Sequence, residues 1–155
     1  MLNYLIAPPV YNLVESFVDG FRDAVKPVTG SVLYCDLVFG YAEHTGIYLG
    51  AGRIAHLNGQ GIIEAVDRET FLEGTTGVSI LVSSKDKQAV GSPIVADRAK
   101  YMLGRRRKYN FLLDNCHQFA AGCLTGNFNN TQNFLWMVKD EAERRLSSNT
   151  WREWR

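Results

Sequence analysis

Two β-rich runs, Thr45-Gly-Ile-Tyr-Leu and Arg53-Ile-Ala-His-Leu, stand on either side of Gly50-Ala51-Gly52, and a glycine-rich spacer of that length folds such runs into an antiparallel hairpin. Flanking segments extend it. Ser31 to Phe39 is short, β-branched and aromatic between Gly30 and Gly40, and Gly61 to Val66 supplies a third antiparallel member. Val78 to Val82 is the next strand, beyond a short polar segment that carries Phe71 and Leu72. Together these predict one antiparallel sheet.

The second half changes period. Ser92-Pro93 reads as an N-cap followed by proline at the first helical position, opening a helix through Ile94, Ala99, Met102 and Leu103 that stops near Gly104. Asn115 or Asp114 caps a further helix from Cys116 to Leu124, closed by Gly126. A last helix is predicted from about Thr131 to Leu146, with Phe134, Val138, Ala142 and Leu146 on one stripe, followed by the short tail Trp151-Arg-Glu-Trp-Arg. Ahead of the sheet, Val10, Leu13, Val14, Phe17, Val18, Phe21 and Val25 form the stripe of an amphipathic helix that Pro27 and Gly30 end. Strands followed by helices define an α+β chain. Its organisation reads as an N-terminal helix over 1–29, a central domain over 30–126 and a C-terminal helix and tail over 127–155.

With 155 residues, 46% of them hydrophobic, the chain can bury one core and is too small for two of ordinary size. A net charge of +1 gives no bulk field for nucleic acid. The three cysteines, Cys35, Cys116 and Cys123, have neither zinc-knuckle nor CxxC spacing, which favours free thiols in a reducing, cytoplasmic compartment. The apolar run at the N-terminus lacks a positive flank and is cut at Pro8 and Pro9, so no secretory leader is expected. No stretch approaches the roughly 20 apolar residues of a membrane span. A soluble protein is expected, with peripheral membrane contact compatible with it.

Chemistry concentrates in Asn115-Cys116-His117-Gln118-Phe119. A helix N-terminus supplies partial positive charge where Cys116 sits, and an imidazole beside it stabilises a thiolate and later protonates a leaving group. The hairpin supplies two imidazoles. Leu49 paired with Arg53 sets His56 opposite Gly46 and makes His44 its diagonal neighbour on the same face, at roughly 7 Å. A register shifted by one separates them. Gly46 then leaves room beside both rings. The Cys116 backbone N–H is the best oxyanion donor, with Asn115, Tyr41 and Tyr48 as further oxyanion or substrate contacts.

Other residues have plainer readings. Cys123 and Cys35 read as core, and His117 as exposed or packing. His44, His56 and Cys116 are only three ligands with no fourth at metal spacing, so neither a metal nor a cofactor is expected. Arg105, Arg106, Arg107 and Lys108 follow a helix C-terminus, where positive charge is usually solvated; the alternative is a clamp for an anionic headgroup or carboxylate.

The segment Glu43-His-Thr-Gly-Ile-Tyr-Leu-Gly-Ala-Gly-Arg-Ile-Ala-His-Leu, followed by Tyr109-Asn-Phe-Leu-Leu-Asp-Asn-Cys-His-Gln-Phe, resembles the lecithin:retinol acyltransferase (LRAT)-like family of the circularly permuted, papain-like superfamily that includes NlpC-type peptidases. The family form is His-Trp-Ala-Ile-Tyr-Val-Gly, a second histidine twelve residues on, and then Asn-Cys-Glu-His-Phe; His44 and His56 reproduce that spacing. Over about Gly30 to Gly126 the resemblance implies a permuted papain-like fold. It also implies an acyl-thioester mechanism with Cys116 as nucleophile, His44 as base and acid, and His56 orienting His44. The implied substrate is an acyl-bearing small molecule, lipid or peptide. Thr45 replaces the tryptophan and His117-Gln118 replace Glu-His. An amidase or peptidase of NlpC type is therefore one alternative, and a catalytically inactive binding or regulatory module another.

Overall fold

The computed structural model describes residues 23–36, 43–108 and 115–155. The expected N-terminal amphipathic helix lies outside these residues except at its end, where Val25 is extended and bridges Trp154 in parallel. Tyr41, the end of the first expected strand and Asp114 also fall outside them.

Seven strands form one antiparallel sheet: β1 (Val32–Asp36), β2 (Glu43–Gly50), β3 (Arg53–Leu57), β4 (Ile63–Val66), β5 (Leu81–Lys85), β6 (Gln88–Ala89) and β7 (Thr150–Glu153). Their order is β4-β3-β2-β1-β5-β6, and β7 pairs with β5. Four helices accompany the sheet: α1 (Arg68–Leu72), α2 (Pro93–Met102), α3 (Cys116–Thr125) and α4 (Leu135–Leu146). The architecture is the α+β fold expected. No described helix is long and apolar enough to cross a membrane.

Both sheet faces are covered, which explains the unbroken apolar run of β1. Val32 and Tyr34 point with Ile47, Ala55 and Leu57 into a core shared with Val95, Ala99, Phe119, Cys123, Val138 and Ala142 of α2, α3 and α4. Leu33 and Cys35 point the other way, joining Ile54, Val66, Phe71, Ile80 and Val82. Period two along a strand then gives two apolar faces rather than an alternating pattern.

α3 is buried from Cys116 through Leu124, as a helix apolar all round must be. Its start is built as a capping box. Asn115 Oδ1 accepts from the backbone N–H of His117 at 3.0 Å and of Gln118 at 3.1 Å, while the Asn115 N–H donates to Gln118 Oε1 at 2.9 Å. Such a cap stabilises a helix by about 0.5–2 kcal/mol, and here it fixes where the chain turns just ahead of Cys116.

Four boundaries differ from expectation. The strand placed at Val78 to Val82 starts at Leu81, leaving Val78 92% exposed. Its second half is masked by two serines that are buried because their hydroxyls donate, Ser83 to the Val90 carbonyl at 2.9 Å and Ser84 to the Val82 carbonyl at 3.0 Å. Phe71 and Leu72 belong to α1, whose N-cap Asp67 accepts from the Thr70 N–H at 2.8 Å. α4 begins at Leu135 rather than Thr131, whereas α2 opens as expected with Ser92 at the N-cap and Pro93 as its first residue, the Ser92 side chain making no cap bond. The C-terminal tail is β7. Trp151 is buried edge-on against Tyr34 at 5.5 Å between ring centres, with Lys139 Nζ over both rings.

Candidate active site

The β2–β3 hairpin closes through Ala51 and Gly52, at φ 50° and 74°, and both positive values suit the tight turn that matches strand twist. Gly50 pairs with Arg53 and Tyr48 with Ile54, so Leu49 is a one-residue bulge rather than the partner of Arg53. Beyond the bulge the register is the expected one. Ile47 pairs with Ala55, and continuing the ladder sets His56 across from Gly46 with His44 diagonal to it.

The two rings meet. His44 Nε2 lies 2.6 Å from His56 Nδ1, with the imidazoles edge to face at 4.9 Å. Across the next ladder His56 pairs with Glu64, and His56 Nε2 is 3.1 Å from Glu64 Oε1, which also accepts from Asn58 Nδ2 at 3.0 Å. A carboxylate only accepts, so Glu64 places the proton of His56 on Nε2 and leaves Nδ1 as an acceptor. His44 then donates from Nε2, and its Nδ1 is the nitrogen left to take a proton. Burial, and then the charge of His44, hold the His56 pKa below its ordinary value against the opposing pull of Glu64.

Phe71 supports both rings, at 4.8 Å from His44 and 5.7 Å from His56 between centres. A Cβ at Gly46 would stand 2.8 Å from Phe71 Cε2 and from Ile54 Cγ2. The room that Gly46 leaves beside both rings is filled by Phe71.

Alternation along β2 sends Thr45 and Ile47 to the helical face and His44, Gly46 and Tyr48 to the other. The thiol sits beside the start of that strand, its Sγ 3.7 Å from the Glu43 carbonyl, where side chains of both faces converge on it. Burial opposes ionisation of Cys116, yet His117 and then His44, by charge and hydrogen bonding, outweigh it and hold its pKa well below the ordinary value. The other two thiols behave oppositely: burial pushes Cys35 up to about 12 and Cys123 higher still. Both are fully buried core residues.

Of the two placements expected for His117, exposed or packing, the second holds: it is buried, with Nδ1 4.0 Å from Cys116 Sγ and 3.2 Å from Thr45 Oγ1, and Nε2 3.7 Å from Glu43 Oε2, and these contacts with the thiol and Glu43 were not expected. Burial lowers its pKa, but the neighbouring thiolate and Glu43 overcome this and raise it. Glu43, Glu64, Phe71 and His117 are the site neighbours that reading along the chain did not supply. The signal available for Glu64 was its place opposite His56 in the third antiparallel strand.

The remaining expected contacts are engaged elsewhere. Asn115 serves the helix cap and donates from Nδ2 to the Asn133 carbonyl at 3.0 Å. The Tyr48 hydroxyl accepts the Gly52 N–H at 3.0 Å and its ring packs on Trp154, so it belongs to the hairpin turn and not to the thiol. Arg105 lies over the Tyr101 ring, Arg106 bridges Ile62, and Arg107 donates to the Phe128 carbonyl at 2.8 Å. Among the described residues no group of three or more His, Cys, Asp or Glu side chains is arranged to hold a metal ion.

The fold and site define an α+β protein that buries an ionisable cysteine at a helix N-terminus beside paired histidines. Residues 26–129 match the family model described as lecithin retinol acyltransferase, and the chain belongs to that family. Membership implies acyltransferase-type activity on acyl substrates in general terms. Among curated proteins no relative matches the chain.

Proposed function

We propose that the protein is a cysteine-dependent acyltransferase or hydrolase that works through an acyl-thioester on Cys116. One observation carries the reading: of three buried thiols, only Cys116 stands beside imidazoles, with His117 Nδ1 4.0 Å from its Sγ, and they hold its pKa below the ordinary value while burial raises those of Cys35 and Cys123. The Cys116 thiolate adds to the acyl carbonyl of the donor, and the Cys116 backbone N–H at the start of α3 faces the developing oxyanion. His44, carrying on Nδ1 the proton it took from the Cys116 thiol, gives that proton to the alcohol or amine expelled on collapse, and the acyl group stays on sulfur. Water or an acceptor alcohol or amine then gives a proton to His44 as it attacks the thioester, restoring the free thiolate. His56, held by Glu64, keeps His44 in the productive tautomer.

A lipid acyl ester is the favoured donor, because family membership implies acyl and lipid substrates in general. Intact-mass measurement after brief incubation with phospholipid, soluble acyl esters and muropeptides tests the reading. An acyl adduct on Cys116, absent in Cys116→Ala, is expected with the lipid or acyl ester. An adduct formed only with muropeptide transfers the assignment to an amidase, and no adduct with any class refutes the covalent mechanism.

A further inference from the structure

His117 and Glu43 form a second acid–imidazole pair on the helical side of the thiol. Glu43 is 5% and His117 6% exposed. One carboxylate oxygen of Glu43 points at His117 Nε2, and the other, Oε1, has no hydrogen-bond partner among the described residues. Leaving a buried carboxylate so poorly bonded is costly unless a cation stands beside it. The thiolate, on the other side of the same ring, makes the same demand. Among the described residues His117 is the imidazole in contact with both, and Thr45 Oγ1 holds its Nδ1 in place.

We infer that His117 is the resting counter-ion of the Cys116 thiolate, held by Glu43, and that His44 is thereby left free to move protons. The inference rests on the reading of Cys116 as nucleophile. The titratable groups around the pair are Glu43 and His44 from β2, His56 from β3 and Cys35 from β1. Charge storage and proton transfer thus belong to different imidazoles. Loss of His44 stops turnover but leaves a thiolate, whereas loss of His117 leaves a working base beside a thiol that ionises only at higher pH.

The chain has three histidines, so imidazole 15N NMR of the full chain resolves each through a pH titration. His117 is expected to stay doubly protonated well above pH 7 in the wild type. In Cys116→Ser its pKa should fall by at least about one unit, because an ion pair is felt equally from both ends. In parallel, His117→Gln should raise the inflection of Cys116 alkylation by about one unit, lowering the rate at pH 6 about tenfold and restoring it at alkaline pH. His44→Gln should move that inflection less. A His117 titration indifferent to Cys116→Ser, or a larger shift from His44→Gln than from His117→Gln, overturns the inference. The Cys116→Ser arm decides the matter even where His117→Gln does not fold. Failure of the underlying reading looks different: no acyl adduct, and an ordinary thiol inflection in the wild type itself.

Discussion

Replacing Gly46 by alanine tests how the histidine pair is seated. The added Cβ would lie 2.8 Å from Phe71 Cε2, 2.8 Å from Ile54 Cγ2 and 2.9 Å from the Ala55 carbonyl oxygen. Three contacts at that distance, one of them to backbone, cannot be relieved by a single rotamer change. Gly46 has no positive φ, so the cost is one of packing alone. Overpacking a closed core costs about 1–3 kcal/mol, and at about 2–4 °C per kcal/mol for a chain of this size the midpoint of thermal unfolding should fall by about 2–12 °C. Phe71 touches both imidazoles, so displacing it also spoils the 2.6 Å contact between His44 and His56. Catalytic loss should therefore exceed what the unfolded fraction explains. Scanning calorimetry with turnover at a temperature well below the transition reads both, and Gly46→Ala combined with Phe71→Leu should recover part of the Gly46→Ala penalty. A variant melting within about 1 °C of the wild type, with unchanged turnover, refutes the close packing of Phe71 beneath the pair.

Glu64→Gln removes the charge that orients His56; with the Glu64 side chain 42% exposed, solvent screening limits the effect to about three- to tenfold in kcat/KM, measured by steady-state kinetics. Asn115→Ala leaves the N–H groups of His117 and Gln118 without their acceptor and should cost about 1–2 kcal/mol in urea denaturation. The depressed pKa of His56 means the folded state binds fewer protons there than the unfolded chain. Its contribution is present above the unfolded value near 6.5 and is lost as pH falls from there towards the folded value. His56→Gln should therefore flatten the fall in melting temperature between pH 7 and pH 5 relative to the wild type.

The site was legible in the sequence where it depends on local periodicity. Period two on each strand brought His44 and His56 to one face, and the three-residue step from Asn115 to Gln118 is the spacing of a capping box. Contacts made across elements were not legible. Burial of His117 depends on the start of β2 packing against the first turn of α3, and its neighbour Cys116 gives no hint of it. Leu49 hid its bulge because the glycine spacer accommodates either a two- or a three-residue loop. β5 was displaced towards its apolar end because buried serines look like loop residues until their partners are known. β7 was missed because a four-residue strand with Arg152 and Glu153 carries little signal without the edge of β5 beside it.

Ionisation of Cys116 in the folded protein is the most direct test of the central claim. Alkylation by iodoacetamide, followed residue by residue against pH in the native chain, compares it with Cys35 and Cys123 in the same sample. Cys116 should react with an inflection well below the value near 8.5 of a free thiol, while the two core cysteines stay unlabelled. An ordinary inflection at Cys116, or labelling no faster than that of its buried neighbours, contradicts the account.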